Sequence, residues 1–225
     1  MRNINLILLF LFVQNICSSQ ELPVWNPSQD QLSTNDWLIK VPVQKAAVYK
    51  SANGKDIIFY NGLVKRSFRV APNLACIDLK NMSNGQQLLR AIRPEAFVTI
   101  NGEQYAVGGL RGQKEKAYFL YDWVDGFKAG EKDFQYAGMT ISDLQPFINW
   151  KRKTWAYNTQ QPKGKLVRFL FKSPLEKMKG LEVEVNYELY DGLPLIVKWV
   201  AVKNNSGKNI VINRIINESL GLVEE

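Results

Sequence analysis

Residues 181–189 alternate without a break. Leu181, Val183, Val185, Tyr187 and Leu189 interleave with Glu182, Glu184, Asn186 and Glu188. A period of two predicts a strand with one dry and one wet face, and Val185 falls mid-strand on the dry one. Asp191-Gly192 follows as a hairpin dipeptide, because both residues tolerate positive φ. Pro194 fits the opening of a strand but not the interior of a central one. Residues 195–202 are apolar on both faces apart from Lys198, the pattern of a strand between two packed layers, and Trp199 in its middle is expected in the core. Asn204-Asn205-Ser206-Gly207 turns the chain again, and residues 209–216 read as a third strand. This is a meander of long strands, the unit of an all-β sandwich.

The first half repeats the theme with shorter strands. Residues 46–49 and 56–60 flank Asn53-Gly54, and Asn61-Gly62 is the strongest hairpin signal there, joining 57–60 to 63–70. Residues 73–79 continue the meander. Asn84-Gly85 leads into 86–90, read as one helical turn. Residues 96–100 and 104–107 form a hairpin about Asn101-Gly102. The glycines at 108, 109 and 112 do not make a phosphate loop, for no Gly-Lys-Ser/Thr and no helix pattern follows. Residues 122–126 (DWVDG) read as a loop with two carboxylates and an indole. Residues 147–157 pack four aromatics among cations, 161–164 close that loop, and 166–171 begin the C-terminal meander. The expected fold class is all-β, a large antiparallel two-sheet sandwich.

Three stretches carry a family resemblance. YELYDGLPLIVKWVAVKNNSGK (187–208), NGLVKRSFRVAPNLACIDLKN (61–81) and LLRAIRPEAFVTINGEQYAVGGL (88–110) resemble the N-terminal β-supersandwich domain of secreted bacterial α-galactosidase-like (melibiase-type) glycoside hydrolases. The likeness covers most of residues 45–225 and is weakest across 111–143. It implies a galactose-mutarotase-like supersandwich over 45–225, incomplete at its C-terminus. It also implies a non-catalytic role in carbohydrate metabolism, packed on a separate catalytic (β/α)₈ barrel and shaping the mouth of its site. In that family the barrel carries both catalytic aspartates, and its nucleophile follows a Lys-aromatic-Asp pattern. Here Lys198-Trp199 is followed by Val200, and a barrel needs about 250 residues of its own. The expected partners are therefore carbohydrate and a missing C-terminal barrel, with this chain a fragment of the whole enzyme.

Composition narrows the chemistry. The chain has 225 residues, 46% hydrophobic and 22% charged, which is globular rather than disordered. It contains no histidine, so the commonest general base and metal ligand is missing. Sugar mutarotases of the same fold use histidines, and that activity is excluded. Arg2 followed by the apolar run 6–13 and the small residues Cys17-Ser18-Ser19 reads as a signal peptide over 1–19. The run is too short to span a bilayer. The protein is expected to be exported, periplasmic or extracellular; a lipoprotein acylated on Cys17 is the rival reading. Residues 20–44 read as an exposed lead-in. The mature chain keeps one cysteine, Cys76, expected as a buried apolar side chain rather than half of a disulfide. The net charge of +8 invites a nucleic-acid reading, but an exported chain without a nucleic-acid motif argues against it. No cofactor and no metal is implied.

Glycoside hydrolysis needs two carboxylates with separated pKa values. Asp122 and Asp125 are the tempting local pair, yet nothing near them in sequence separates their pKa values, and they read as turn-formers. No catalytic residue is assigned. Aromatic faces can hold sugars, and Trp150, Trp155 and Tyr157 lie beside Lys151, Arg152 and Lys153, with Trp123 in another loop. These four are the candidate ligand-binding residues, weighed against ordinary burial of large aromatics. The alternative function is a free-standing secreted glycan-binding module using that aromatic and basic loop. A structural envelope protein is a third reading.

Overall fold

The structure is a computed structural model and describes residues 21–33, 36–145 and 161–223. It is all-β, with antiparallel sheets packed as a sandwich. The first sheet is a meander of β1 (Ala47–Lys50), β2 (Asp56–Tyr60), β3 (Val64–Arg69) and β4 (Ala75–Asn81). The short strands β5 (Leu89–Ala91), β6 (Ala96–Ile100) and β7 (Glu103–Val107) follow. The second sheet holds β8 (Gln135–Asp143), β9 (Gly164–Lys172), β10 (Leu181–Tyr190) and β11 (Ile196–Asn204), in the order β11-β10-β9-β8. β12 (Ile212–Ile216) joins β6 and β7 in a smaller sheet, and β13 (Gly221–Leu222) pairs with β5.

The two four-stranded sheets meet through aromatic rings. Phe59 and Phe68 from the first sheet pack on Phe169 and Tyr187 from the second, with ring centroids 5.1–5.8 Å apart. All four are essentially buried. Such pairs add to the area they bury. The alternation in β10 delivers what it predicts on its dry side: Leu181, Val183, Val185, Tyr187 and Leu189 are all buried. The wet face departs from expectation, because Asn186 and Glu188 are buried too. The Asn61-Gly62 and Asn101-Gly102 hairpins stand where expected. Asn101 and Gly102 both take positive φ, 49° and 83°, the geometry that two-residue hairpins demand.

The C-terminal meander is the main correction. β12 pairs with β6, Ile212 opposite Ile100 and Ile216 opposite Phe97, and not with β11. β11 is therefore an edge of the described sheet rather than a central strand. Its residues are half-buried, Trp199 included, not enclosed between layers. A run of alternating apolar residues marks a strand but does not name its neighbour, and that choice is made by the chain's path. Residues 86–90, expected as a helical turn, lead instead into β5, and 122–126 form part of a 3-10 helix, Tyr121–Gly126. β8 was not legible: its Gly138 sits at a register shift, and its residues are half-buried or exposed with little alternation.

The outer face of the first sheet is also covered. Trp25, from the lead-in, packs against Tyr49 and Tyr60 at 5.3 and 5.0 Å and closes over Ile58 and Met82. Further along, Val124 and Phe127 close over Ala75 and Ile77. A register shift between Ser67 and Phe68 leaves Ile77 without a cross-strand partner on β3, a bulge of the kind that re-aims side chains. Among the described residues no helix is long and apolar enough to cross a membrane.

Candidate functional site

The motifs singled out in the sequence meet in space. Asn61, of the first hairpin, donates through Nδ2 to the carbonyls of Tyr190 and Leu193, both at 2.7 Å. Its Oδ1 accepts from the backbone of Leu63 and Val64, each at 3.0 Å. Asp191, of the second hairpin, accepts from the Ala46 backbone N–H at 2.8 Å. The Asn-Gly-Leu turn and the Tyr-Asp-Gly hairpin are therefore the two halves of one brace between the sheets.

A buried charge network lies nearby, inside the sandwich. Arg66 from β3 reaches Glu95, just before β6, at 3.6 Å, and Glu218 at 3.2 Å. Lys198 from β11, the cross-strand partner of Tyr187, reaches Glu218 at 2.9 Å and Glu95 at 3.6 Å. The Tyr187 hydroxyl donates to Glu95 Oε2, and Glu95 Oε1 accepts from the Cys76 backbone N–H at 2.8 Å. The Arg66 guanidinium sits 4.8 Å from the Tyr187 ring. Arg66, Glu95, Tyr187 and Cys76 are all buried. Burial pushes the Tyr187 phenol well up, and the Glu95 charge adds to that against Arg66, so the phenol is a neutral donor. Burial also pushes the Cys76 thiol up to about 11. Burial alone would raise Glu218, but Arg66 and Lys198 outweigh it and hold the carboxyl below its ordinary range.

On the opposite face of the first sheet is a polar groove of about 410 Å³. It lies between the Trp25 cover and the Phe127 cover. Its floor is Asp56, Lys65, Ser67 and Asp78, and Phe119 and Tyr121 form one wall. Asp78 accepts from Gln87 and pairs with Lys65 at 3.2 Å. Asp56 holds Arg69 Nε at 2.5 Å and accepts from the Tyr121 hydroxyl at 2.6 Å. Arg69 then bridges to Asp125 at 2.5 Å, and Lys55 reaches the same carboxylate at 2.8 Å.

Asp122 and Asp125 both fall in the 3-10 helix Tyr121–Gly126. Asp125 is tied to Lys55 and Arg69, whose hydrogen bonds hold its carboxyl below the usual range. Every described carboxyl displaced from that range is displaced downward: Asp30, Glu103, Asp125, Asp143 and Glu218. A general acid requires the opposite displacement. Of the four candidate ligand-binding aromatics, Trp123 is half-buried against the Ala75 and Ile77 cluster, with Lys114 Nζ 5.6 Å from its ring. Trp150, Trp155 and Tyr157 lie outside the described residues. The groove was missed from sequence because its residues come from four separate strands and loops. The one available signal was the unusual set of polar residues (Lys65, Ser67, Asp78) within otherwise apolar strand patterns.

Fold and sites together define an all-β sandwich protein with an ionic centre and a polar outer groove. Neither a family model nor a curated protein matches the chain. A solved structure similar to it is the GH36 alpha-galactosidase AgaB from Geobacillus stearothermophilus. The identity is 14%, the TM-score 0.43, and the match covers 73% of this chain and 23% of that one. The structural relationship is distant, and the chain spans less than a quarter of that enzyme's length.

Proposed function

We propose that residues 45–225 are a non-catalytic β-supersandwich domain of the type that accompanies the catalytic barrel in exported α-galactosidase-like glycoside hydrolases. The observation that carries this reading is the convergence of the resembling stretches. Arg66 and Cys76 come from 61–81, Glu95 from 88–110, and Tyr187 and Lys198 from 187–208, and all meet in one buried network. Export and removal of residues 1–19 belong to the proposal, and N-terminal sequencing of secreted protein should read from Gln20.

The test has two arms. Purified protein starting at Gln20 should not turn over nitrophenyl α-galactoside. Joined to the barrel of a melibiase-type enzyme stripped of its own N-terminal domain, it should restore soluble activity. Turnover by the chain alone that is lost in Asp122→Asn overturns the non-catalytic reading. Failure of the joined protein to gain activity overturns the partnership. A glycan-binding module is the second reading, favoured by the outer groove, where Tyr121 and Phe119 stand beside fixed carboxylates. Titration with neutral galacto-oligosaccharides, weakened by Tyr121→Ala, would establish it.

A further inference from the structure

We propose that a second pocket, lined by residues 90–93 and the 110–117 loop, binds a sulfated or carboxylated oligosaccharide. The pocket measures about 590 Å³, within the range of sites that hold drug-sized ligands and far larger than a single inorganic anion. Among the described residues Arg90, Arg93, Arg111, Lys114 and Lys116 line it, against one carboxylate, Glu115. Arg111 is offset by Asp133, with Nη2 at 2.8 Å. Arg93, Lys114 and Lys116 are exposed and have no carboxylate partner among the described residues. Concentrating unpaired cations at one concavity creates a field selective for anions.

The backbone that carries these cations is held in place before any ligand arrives. Gln113 Oε1 accepts from the Ile92 backbone at 2.9 Å, and its Nε2 donates to the Ala117 carbonyl at 2.8 Å. Arg111 and Lys128 exchange backbone hydrogen bonds at 2.8 and 2.9 Å, and Phe119 N–H bonds the Arg90 carbonyl at 2.8 Å. The loop is therefore pinned at both ends and in its middle, which lowers the ordering cost of binding. Arg90 lies 4.9 Å from the Tyr118 ring, and Lys114 lies 5.6 Å from that of Trp123. These contacts orient Arg90 and Lys114, and the choice of a sugar among anionic ligands rests on the carbohydrate reading proposed above.

The experiment titrates protein starting at Gln20 with four probes: a sulfated galactan tetrasaccharide, the neutral tetrasaccharide, inorganic sulfate and an oligothymidine. The sulfated sugar should bind about tenfold or more tighter than the other three. Replacing Arg93, Lys114 and Lys116 together by alanine should weaken it about tenfold, roughly 1.4 kcal/mol. The charge-matched triple Lys40→Ala, Lys163→Ala, Lys208→Ala should leave it within about twofold. All six side chains are exposed, and unchanged melting of both triples confirms the fold. Four results each overturn the proposal: no binding, equal binding of the neutral sugar or of sulfate, tighter binding of oligothymidine, or equal loss in both triples.

Discussion

Arg66 is buried with two carboxylates in reach, and its Nε has no hydrogen-bond partner among the described residues. It neutralises Glu95, which water does not reach, and pairs with the half-buried Glu218. Removing one member of such a network strands the other charges and costs about 3–5 kcal/mol, more than deleting a neutral contact. Arg66→Met should lower the urea midpoint by that equivalent, whereas Tyr187→Phe, which removes one hydrogen bond from Glu95, should cost about 1–3 kcal/mol. If Arg66→Met cost under about 1 kcal/mol, the network would not be holding the sheets. Cys76 offers a spectroscopic check on the same region. With its thiol pushed up to about 11 and buried, native protein starting at Gln20 should not react with a thiol reagent at about pH 8 and should show one thiol after unfolding. Rapid reaction of the folded protein would contradict the burial.

β10 and its hairpin set the behaviour of the elements. β10 pairs along its full length with β9 and β11, so a fault on its dry face reaches three strands. Val185 is fully buried there. Val185→Asp should prevent folding, because an unpaired buried carboxylate costs several kcal/mol, comparable to total stability. A soluble mutant that melted cooperatively would refute the face assignment. The brace gives a milder test. Asn61→Ala removes two donated and two accepted bonds and should cost about 2–3 kcal/mol, read as a lower urea midpoint with unchanged strand content.

At the scale of the molecule, stability follows the paired charges. Asp30 and Glu218 are held below their ordinary range by lysine and arginine neighbours, against burial. Their contribution is full above the unfolded values near about 4 and is lost as pH falls through the folded ones. Burial raises Tyr187, and Asp78 and Asp30 raise Lys65 against burial. Their contribution is full below about 10 and is lost as pH rises through the folded values. The melting temperature should be flat from about pH 5 to 9 and fall on both sides. Glu218→Gln should shrink the acid limb, and an unchanged limb would assign it elsewhere. The surface carries a further expectation. On and beside β12, Val211, Ile212 and Ile215 are exposed, as are Leu38, Ile39, Val41 and Val43 in the lead-in. Among the described residues β12 is the edge of its sheet, and an edge strand with exposed apolar side chains promotes association. Light scattering should show self-association at micromolar concentration, reduced in Ile215→Lys; a monomeric parent protein would refute it.

Local alternation and turn chemistry by themselves determined the all-β class, the strands β2, β6 and β10, and the hairpins at Asn61-Gly62 and Asn101-Gly102. Period, face and positive φ are properties of neighbours in sequence. They also placed Val185 and Tyr187 on the dry face and Cys76 in the interior. Tertiary structure alone decided which strands lie side by side. It moved β12 from β11 to β6, turned β11 into an edge and left Trp199 half-buried. It also decided which charges are buried together. Lys198 reads in the sequence as one polar exception in an apolar run, and nothing in the sequence singles out Glu95. Only the crossing of the two sheets brings them to Arg66, residues 29 and 132 positions away, because the sequence records what a side chain is and the fold decides what surrounds it.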